Sequence, residues 1–428
     1  MIILSIKCLK TLEYDKILAR IKDYCKTYIG KDKASILNPS FEKLQVENLL
    51  DYTKEATSLI IRKSGIPLSD IPDISLCIKN LESSSILSSL SFLNIARFLK
   101  ISREVKEYFF ASCDINLDDY FKLYDLFDNI YINKSIEDKI FSIILDENII
   151  ADDASVKLSS IRRQKKKLEQ DIREKLNNFI HSSANSKYIM EPIITIRNDR
   201  YVVPIKEECK GLVKGFIHDI SSSGSTVFIE PISIFELNNE ISSLQVEEDI
   251  EIEKILRDLS NLLYPYTTHL KNNINILGDL DLIFAKASYS LDINGILPQI
   301  NDDKYINLVS ARHPLISQDK VVPIDISIGK SYSALVITGP NTGGKTVSLK
   351  TTGLLLLMAY SGLFIPVKEN SSIYIFDNIF ADIGDEQSIQ ENLSTFSSHI
   401  SNIVEITKSV TPNSLILLDE LRFWYRPY

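Results

Sequence analysis

Residues 339–346, GPNTGGKT, satisfy the spacing GxxxxGK[ST] with Gly339, Gly344, Lys345 and Thr346. Glycines at those places let backbone N–H groups converge on phosphate oxygens, and a helix opening at the lysine adds the positive end of its dipole to the same point. The loop residues Gly339, Pro340, Asn341, Thr342, Gly343 and Gly344 are therefore expected to line a nucleotide's phosphates, with Lys345 reaching the β and γ groups. Thr346 offers a hydroxyl to Mg²⁺, a hard cation that takes oxygen ligands and keeps several waters. A second element, SLILLDE at 414–420, is an apolar run ending in two acids. In that position Asp419 would hold Mg²⁺ through water, and Glu420 would orient an attacking water.

Such a loop needs a strand before it and a helix after it. The run SALVIT at 333–338 is expected to be that strand, in an α/β nucleotide-binding domain spanning 301–428. Upstream the pattern is helical. Leu12, Ile17, Leu18, Ile21, Tyr24, Cys25 and Tyr28 form a helical stripe that Gly30 is expected to end as a left-handed cap. Further stripes over 49–61 and 93–110 make 1–145 a helical core domain. Leu158, Ile161, Leu168, Ile172, Leu176 and Phe179 recur three and four apart, the pattern of one arm of a helical pair over 146–190. A second stripe from Leu237 to Leu262 reads as the returning arm, with the core resumed by 300. Between the arms, over 191–235, short β-rich runs at 193–196, 201–205, 215–218 and 227–229 alternate with turn residues Asn198, Asp199 and Gly224, predicting a small β-tip. The fold class these patterns predict is a multidomain chain: an all-α core with long stalk helices and a small β-tip, followed by an α/β P-loop domain.

The 428 residues suffice for two or three domains, and 44% apolar with 25% charged residues excludes disordered and collagen-like chains. The apolar run 353–367 is interrupted by Ser361 and Gly362 and falls short of a membrane span, so no membrane partner and a cytoplasmic location are expected. Cys8, Cys25, Cys77, Cys113 and Cys209 lack zinc-site spacing and read as buried apolar residues. A net charge of −9 requires any nucleic-acid contact to be local. Arg162, Arg163, Lys165, Lys166 and Lys167 on the outbound arm are one candidate, and a solvated helix face is the plainer account of them. Arg197, Arg200, Lys206, Lys210 and Lys214 in the β-tip are the other, diluted by Asp199, Glu207 and Glu208.

Taken with ARHP at 311–314, FADIGDEQSI at 380–389, NLSTFSSH at 392–399, EPIITIRNDRYVVPIK at 191–206 and SSSGSTVFIEP at 221–231, these motifs make the chain similar to the MutS-type ATPases, and within them to the bacterial MutS-II branch. The resemblance covers nearly the whole sequence. It implies a helical core, lever helices tipped by a clamp, and an ABC-type ATPase domain that dimerises, with ATP and Mg²⁺ as cofactors. In such a homodimer the STF segment acts on the partner's nucleotide, which puts Ser394 among the nucleotide contacts. Residues 321–323 fall where the family packs apolar groups against adenine, although an ordinary strand accounts for them equally well, and His399 reads as a packing residue.

The resemblance also implies DNA, branched or double-stranded, or the ribosome and its rRNA as partner, in control of recombination or in rescue of collided ribosomes. No mismatch-reading domain precedes the core helices, so mismatch recognition is not expected. After Glu420 the family pattern gives way to LRFWYRPY, so truncation at this point by a frameshift or a shortened gene is expected, and with it loss of the branch's C-terminal small nuclease domain. Two readings follow: an ATP-driven dimeric clamp, and a remnant that binds nucleotide or nucleic acid without hydrolysing ATP.

Overall fold

A computed structural model describes residues 6–111, 116–340, 343–384 and 392–419, the last stretch with side chains from 401 onward. In chain order the helices before the β-tip are α1 (Ile6–Thr11), α2 (Tyr14–Tyr24), α3 (Tyr28–Ser35), α4 (Lys43–Lys63), α5 (Ser75–Glu82), α6 (Ser89–Phe110), α7 (Phe121–Asp128), α8 (Lys134–Ile143) and α9 (Val156–His181), with a short hairpin of β1 (Ile144–Asp146) and β2 (Ile149–Ile150) before α9. Then come β3 (Thr195–Arg197), β4 (Arg200–Lys206), β5 (Gly215–Ile220), β6 (Thr226–Pro231), α10 (Ile232–Leu263) and α11 (Thr267–Asp292). The final part comprises β7 (Gln299–Asn301), β8 (Ile306–Ala311), β9 (Ile324–Ile328), α12 (Lys345–Tyr360), β10 (Ser372–Tyr374), β11 (Asn378–Asp382), α13 (Asn392–Ser409) and β12 (Ser414–Leu418).

Two compact units emerge, one of Met1–Ile71, Lys100–Ile132 and His269–Tyr428, the other of Pro72–Leu99 and Asn133–Thr268. In the second, α9 packs along α10. Between them β3–β4–β6–β5 form an antiparallel sheet in that order. Asn198 and Asp199 both take positive φ, 46° and 60°, in the two-residue link that pairs Arg197 with Arg200. That is the geometry of a primed hairpin turn, whose twist matches its strands and which asparagine and aspartate tolerate. Ile172, Leu176 and Ile180 of α9 and Ile234 and Ile241 of α10 close one core with Val203, Ile205, Val227 and Ile229 of the sheet.

In the first unit α12 is the centre. Its residues from Thr351 to Tyr360 are all buried, as expected of a helix apolar on every side. Strands β7–β10–β8–β9 form one sheet, and β11 and β12 pair in parallel as another. Lys286 of α11 lies fully buried and donates to the Ser361 carbonyl at 3.2 Å, at the C-terminal end of α12. Burial lowers its pKa from 10.5 to about 8 despite the favourable charge of Asp279. An amine held below its unfolded pKa penalises folding while both states would otherwise be charged, so the penalty is full below about pH 8 and is relieved as pH rises towards 10.5. Lys286→Met should therefore gain on the order of 3 kcal/mol relative to the pH-dependent part of the wild type below pH 8. The stability difference should shrink between pH 8 and 10.5. Urea unfolding of both proteins across that range checks it.

Two expectations fail here. Gly30 does not cap a long helix. The chain breaks at Glu13, which takes the left-handed conformation, and again after Tyr24, and Gly30 sits inside α3 with no positive φ. It is glycine for space, because a Cβ there would lie 2.1 Å from Asp281 Oδ2. The second failure is the strand at 333–338. That run makes no ladder pairing among the described residues, and Leu335, Val336 and Ile337 stand 43%, 76% and 38% exposed. β-propensity alone does not make a strand; a neighbour must take up its backbone groups.

No helix among the described residues is long and apolar enough to cross a membrane. Cys8, Cys25 and Cys77 are buried and Cys209 is half-buried, while Cys113 lies outside the described residues.

Candidate functional site: the turn opening α12

The turn before α12 is closed by the Gly343 amide donating to the Pro340 carbonyl at 2.9 Å. Gly344 precedes the helix at φ 76°, a left-handed conformation that a side chain would strain. No atom lies within 4 Å of a Cβ built there, so backbone freedom and not space accounts for this glycine. Helix α12 then starts at Lys345, leaving its first amides without intrahelical partners and its dipole aimed at the turn. The Lys345 ammonium reaches back over the loop and donates to the carbonyls of Gly339 at 2.7 Å and Pro340 at 3.0 Å.

Thr346 faces the other way. Its Oγ1 donates to Asp419 Oδ2 at 2.5 Å, joining the first turn of α12 to the residue that follows β12. The Asp419 amide in turn donates to the Asp382 carbonyl at 3.0 Å, at the end of the parallel pair that runs from Asn378 opposite Ser414 to Asp382 opposite Leu418. Asp382, 6% exposed, accepts from the Asn402 side-chain amide of α13 at 2.8 Å. Neither Asp382 nor Asn402 carries a local sequence signal, and only the meeting of β11 with α13 reveals them. A threonine hydroxyl beside a carboxylate is a two-oxygen set of the kind Mg²⁺ takes while keeping its remaining ligands as water. No cluster of three or more His, Cys, Asp or Glu suited to a metal occurs among the described residues.

What holds this pair together is the packing of α12 on β12. A Cβ on Gly353 would come within 2.7 Å of Leu417 Cδ1 and within 2.9 Å of both Leu12 methyls. Leu417 lies two residues before Asp419. Gly353→Ala should be nearly neutral, since its helix propensity gain of about 1 kcal/mol offsets a modest repacking. Gly353→Leu should cost about 3 kcal/mol by overpacking, and thermal denaturation of the two variants separates these outcomes.

Beside the helix start opens a cavity of about 640 Å³, lined by Thr346, Val347 and Lys350 on one side and by His313, Leu315 and Ile316 of the ARHP segment on the other. His313 is buried and its pKa is lowered, chiefly by desolvation, which favours the neutral ring. Its Nδ1 accepts from the Leu315 amide at 3.4 Å. Lys350 is drawn towards Glu13 of the α1–α2 break at 3.4 Å. Residues 321–323, the expected adenine contacts, do not line this cavity, and Val322 is 77% exposed. Ala19, Leu315, Ile316 and Val347 are the apolar groups that do, and their isolated places in the sequence carry no signal. Ser394 is the third residue of α13, but its side chain and that of His399 are outside the described residues, as are Asn341, Thr342, Glu420 and 421–428.

The basic candidates divide. Arg162 Nε donates to Glu248 Oε1 at 2.8 Å, and Lys165 reaches Glu248 Oε2 at 3.0 Å, so these two bind α9 to α10. Arg163, Lys166 and Lys167 are exposed. In the β-tip Arg200 pairs with the buried Glu230 at 3.1 Å, Arg197 with Asp219 at 3.2 Å, and Lys210 with Glu207 at 2.5 Å. Lys206 donates to the Lys187 carbonyl. Lys214 is exposed. Six of the ten expected phosphate-contacting residues are thus already engaged within the fold.

A glycine-rich turn opening a buried helix, whose second residue meets the acid at the end of a parallel strand, is the layout of the P-loop class. Residues 335–422 match the family model described as MutS domain V. Over 416 residues, 97% of this chain, the sequence is 46% identical to endonuclease MutS2 of Acetivibrio thermocellus. It is 44% identical over 415 residues to endonuclease MutS2 of Alkaliphilus oremlandii, and 45% identical over 415 to that of Caldanaerobacter subterraneus subsp. tengcongensis. The chain belongs to the MutS family. It spans about half the length of these curated relatives, covering 52% of each.

Proposed function

We propose that the chain binds ATP with Mg²⁺ at the turn opening α12 and serves as the nucleotide-responsive half of a DNA-handling clamp. One observation carries this reading: Thr346 Oγ1 and Asp419 Oδ2 lie 2.5 Å apart, so the loop and the acidic strand end converge on one point. Thr346 and Asp419 are the residues that would hold Mg²⁺, which would supply positive charge against the phosphates. Lys345, within the loop, is placed to exchange its two carbonyl acceptors for phosphate oxygens. The amides at the start of α12 supply further donors. Glu420 takes the part of water-orienting base, and Ser394 that of a contact to the nucleotide of a second copy. The division into a helical core, two lever helices around a clamp, and an ATPase domain, with boundaries near 145, 190, 235 and 300, belongs to this proposal.

Double-stranded or branched DNA is the partner favoured over the ribosome, because the MutS2 relatives are named endonucleases. Arg163, Lys166, Lys167 and Lys214 are the exposed groups for its phosphates. Roles in recombination control or ribosome rescue lie one step further out.

A second reading, nucleotide binding without turnover, is favoured by the unpaired run 333–338, which leaves the loop without a strand to anchor its leading side. Steady-state ATP hydrolysis, measured beside Lys345→Ala, decides between them. Turnover above the variant supports the ATPase, and equal rates with retained binding support the second reading.

A further inference from the structure

The last residues of β11 and β12 are held from both faces. Opposite residues of a parallel pair share a face, and successive residues alternate. Leu417 and Asp419 therefore point to α12, where Leu417 lies over Gly353 and Asp419 meets Thr346 at 2.5 Å. Asp382, opposite Leu418, points the other way, to α13. There the Asn402 side-chain amide donates to Asp382 Oδ1 at 2.8 Å and lies 3.5 Å from the Ala381 carbonyl. Asp382 is thus a joint: its side chain is tied to α13, and its carbonyl accepts the Asp419 amide at 3.0 Å.

Asp382 is 6% exposed, and a carboxylate taken that far from water requires donors. Asn402 is half-buried on α13, so its amide is presented from a rigid element. Being neutral, it satisfies the carboxylate while leaving the charge in place. Without it Asp382 would lack a donor and turn to find another, and the strand end bearing its carbonyl would shift with it. Asp419 hangs from that carbonyl. Mg²⁺ demands near-octahedral geometry, so an acid moved from its place holds the ion less well, while phosphate contacts from Lys345 and the loop are untouched.

We infer that Asn402 is a positioning residue for the metal-holding acid: it acts on Asp419 through Asp382 and touches neither nucleotide nor metal. The inference rests on the reading that Thr346 and Asp419 hold Mg²⁺. Labelled-ATP titrations of the full chain over a magnesium series, and again in excess chelator, test it in wild type, Asn402→Ala, Asp382→Asn and the double variant. Asn402→Ala is expected to raise the half-saturating magnesium about tenfold while leaving the affinity in chelator unchanged. Alanine favours the helix, and that unchanged affinity verifies the fold. In the Asp382→Asn background the same replacement should raise the requirement no further, because the carboxylate it served is gone. Hydrogen exchange on the nucleotide-free, metal-free chain gives an independent reading: the Asp419 amide should exchange about tenfold faster in Asn402→Ala. A wild type that binds no ATP overturns the underlying reading and this inference with it. A binding wild type with an unchanged magnesium requirement in Asn402→Ala overturns this inference alone. So do equal losses with and without magnesium, which mark a merely structural role, and so does an Asp419 amide whose exchange is unaltered.

Discussion

Lys345→Ala is expected to weaken ATP binding by about 100-fold or more. A charge-assisted hydrogen bond to a phosphate contributes about 1.5–3 kcal/mol, and the ammonium is placed to make two. The fold should survive, because the acceptors Lys345 now uses, the Gly339 and Pro340 carbonyls, lie at an exposed loop where water replaces the lysine. Lys345→Arg keeps the charge but substitutes a planar fork for a compact ammonium inside a narrow turn, and should recover only part of the affinity. Fluorescent ATP titrations of the three proteins, with circular dichroism as the control for folding, measure both effects. Equal affinity in wild type and Lys345→Ala would mean that the triphosphate sits elsewhere.

Gly30→Ala is expected to be the most damaging of the small-residue changes. The added methyl would lie 2.1 Å from Asp281 Oδ2 and 2.7 Å from its Cγ. That carboxylate cannot swing away cheaply. Asp281 is 2% exposed and accepts from the Lys26 amide at 3.0 Å, the Thr27 amide at 2.8 Å and the Thr27 hydroxyl at 2.6 Å, while Thr27 Oγ1 in turn caps α3 through the Gly30 amide at 2.9 Å. Displacing it leaves a buried charge short of partners and undoes the helix cap. The gain of about 1 kcal/mol in helix propensity does not offset this, and a net loss of about 3 kcal/mol is expected. Chemical denaturation of Gly30→Ala checks the figure. Asp281→Asn, which keeps the shape but removes the charge, should lose less.

These two residues show what the amino-acid order revealed and what it concealed. The loop was legible because phosphate binding by backbone amides requires glycines and a lysine at fixed spacing, and such a requirement is local. The hairpin at Asn198 and Asp199 was legible for the same reason, since its turn type depends on the φ tolerance of two adjacent residues. The two long stripes that became α9 and α10 were legible from their period. Gly30 misled because the same residue answers two needs, a left-handed cap and a close approach, and only the arrival of Asp281, far along the chain, shows which applies. The run 333–338 misled because its composition states a preference for pairing and says nothing of whether a partner lies alongside.

In the candidate site, Thr346 and Asp419 were named from motif spacing, and the structure brings them together. Asp382, Asn402 and the apolar lining of Ala19, Leu315, Ile316 and Val347 come from separate segments whose meeting has no local signature. The basic residues divided in the same way. Sequence shows that Arg162 and Lys165 are charged, but not that Glu248, 8% exposed on the opposite helix, engages both. Burial of that carboxylate without them would be costly, so their first task is to join α9 to α10.

On the proposed reading, backbone amides and Lys345 at the head of α12 grip a triphosphate, and Thr346 and Asp419 would hold its magnesium. The measurement that bears on it most directly is an equilibrium titration of the folded chain with labelled ATP, with magnesium and again with excess chelator. Saturable binding that weakens when magnesium is withdrawn, and that loses this magnesium dependence in Asp419→Ala, is the predicted result. No saturable complex at millimolar ATP with magnesium present would contradict the account.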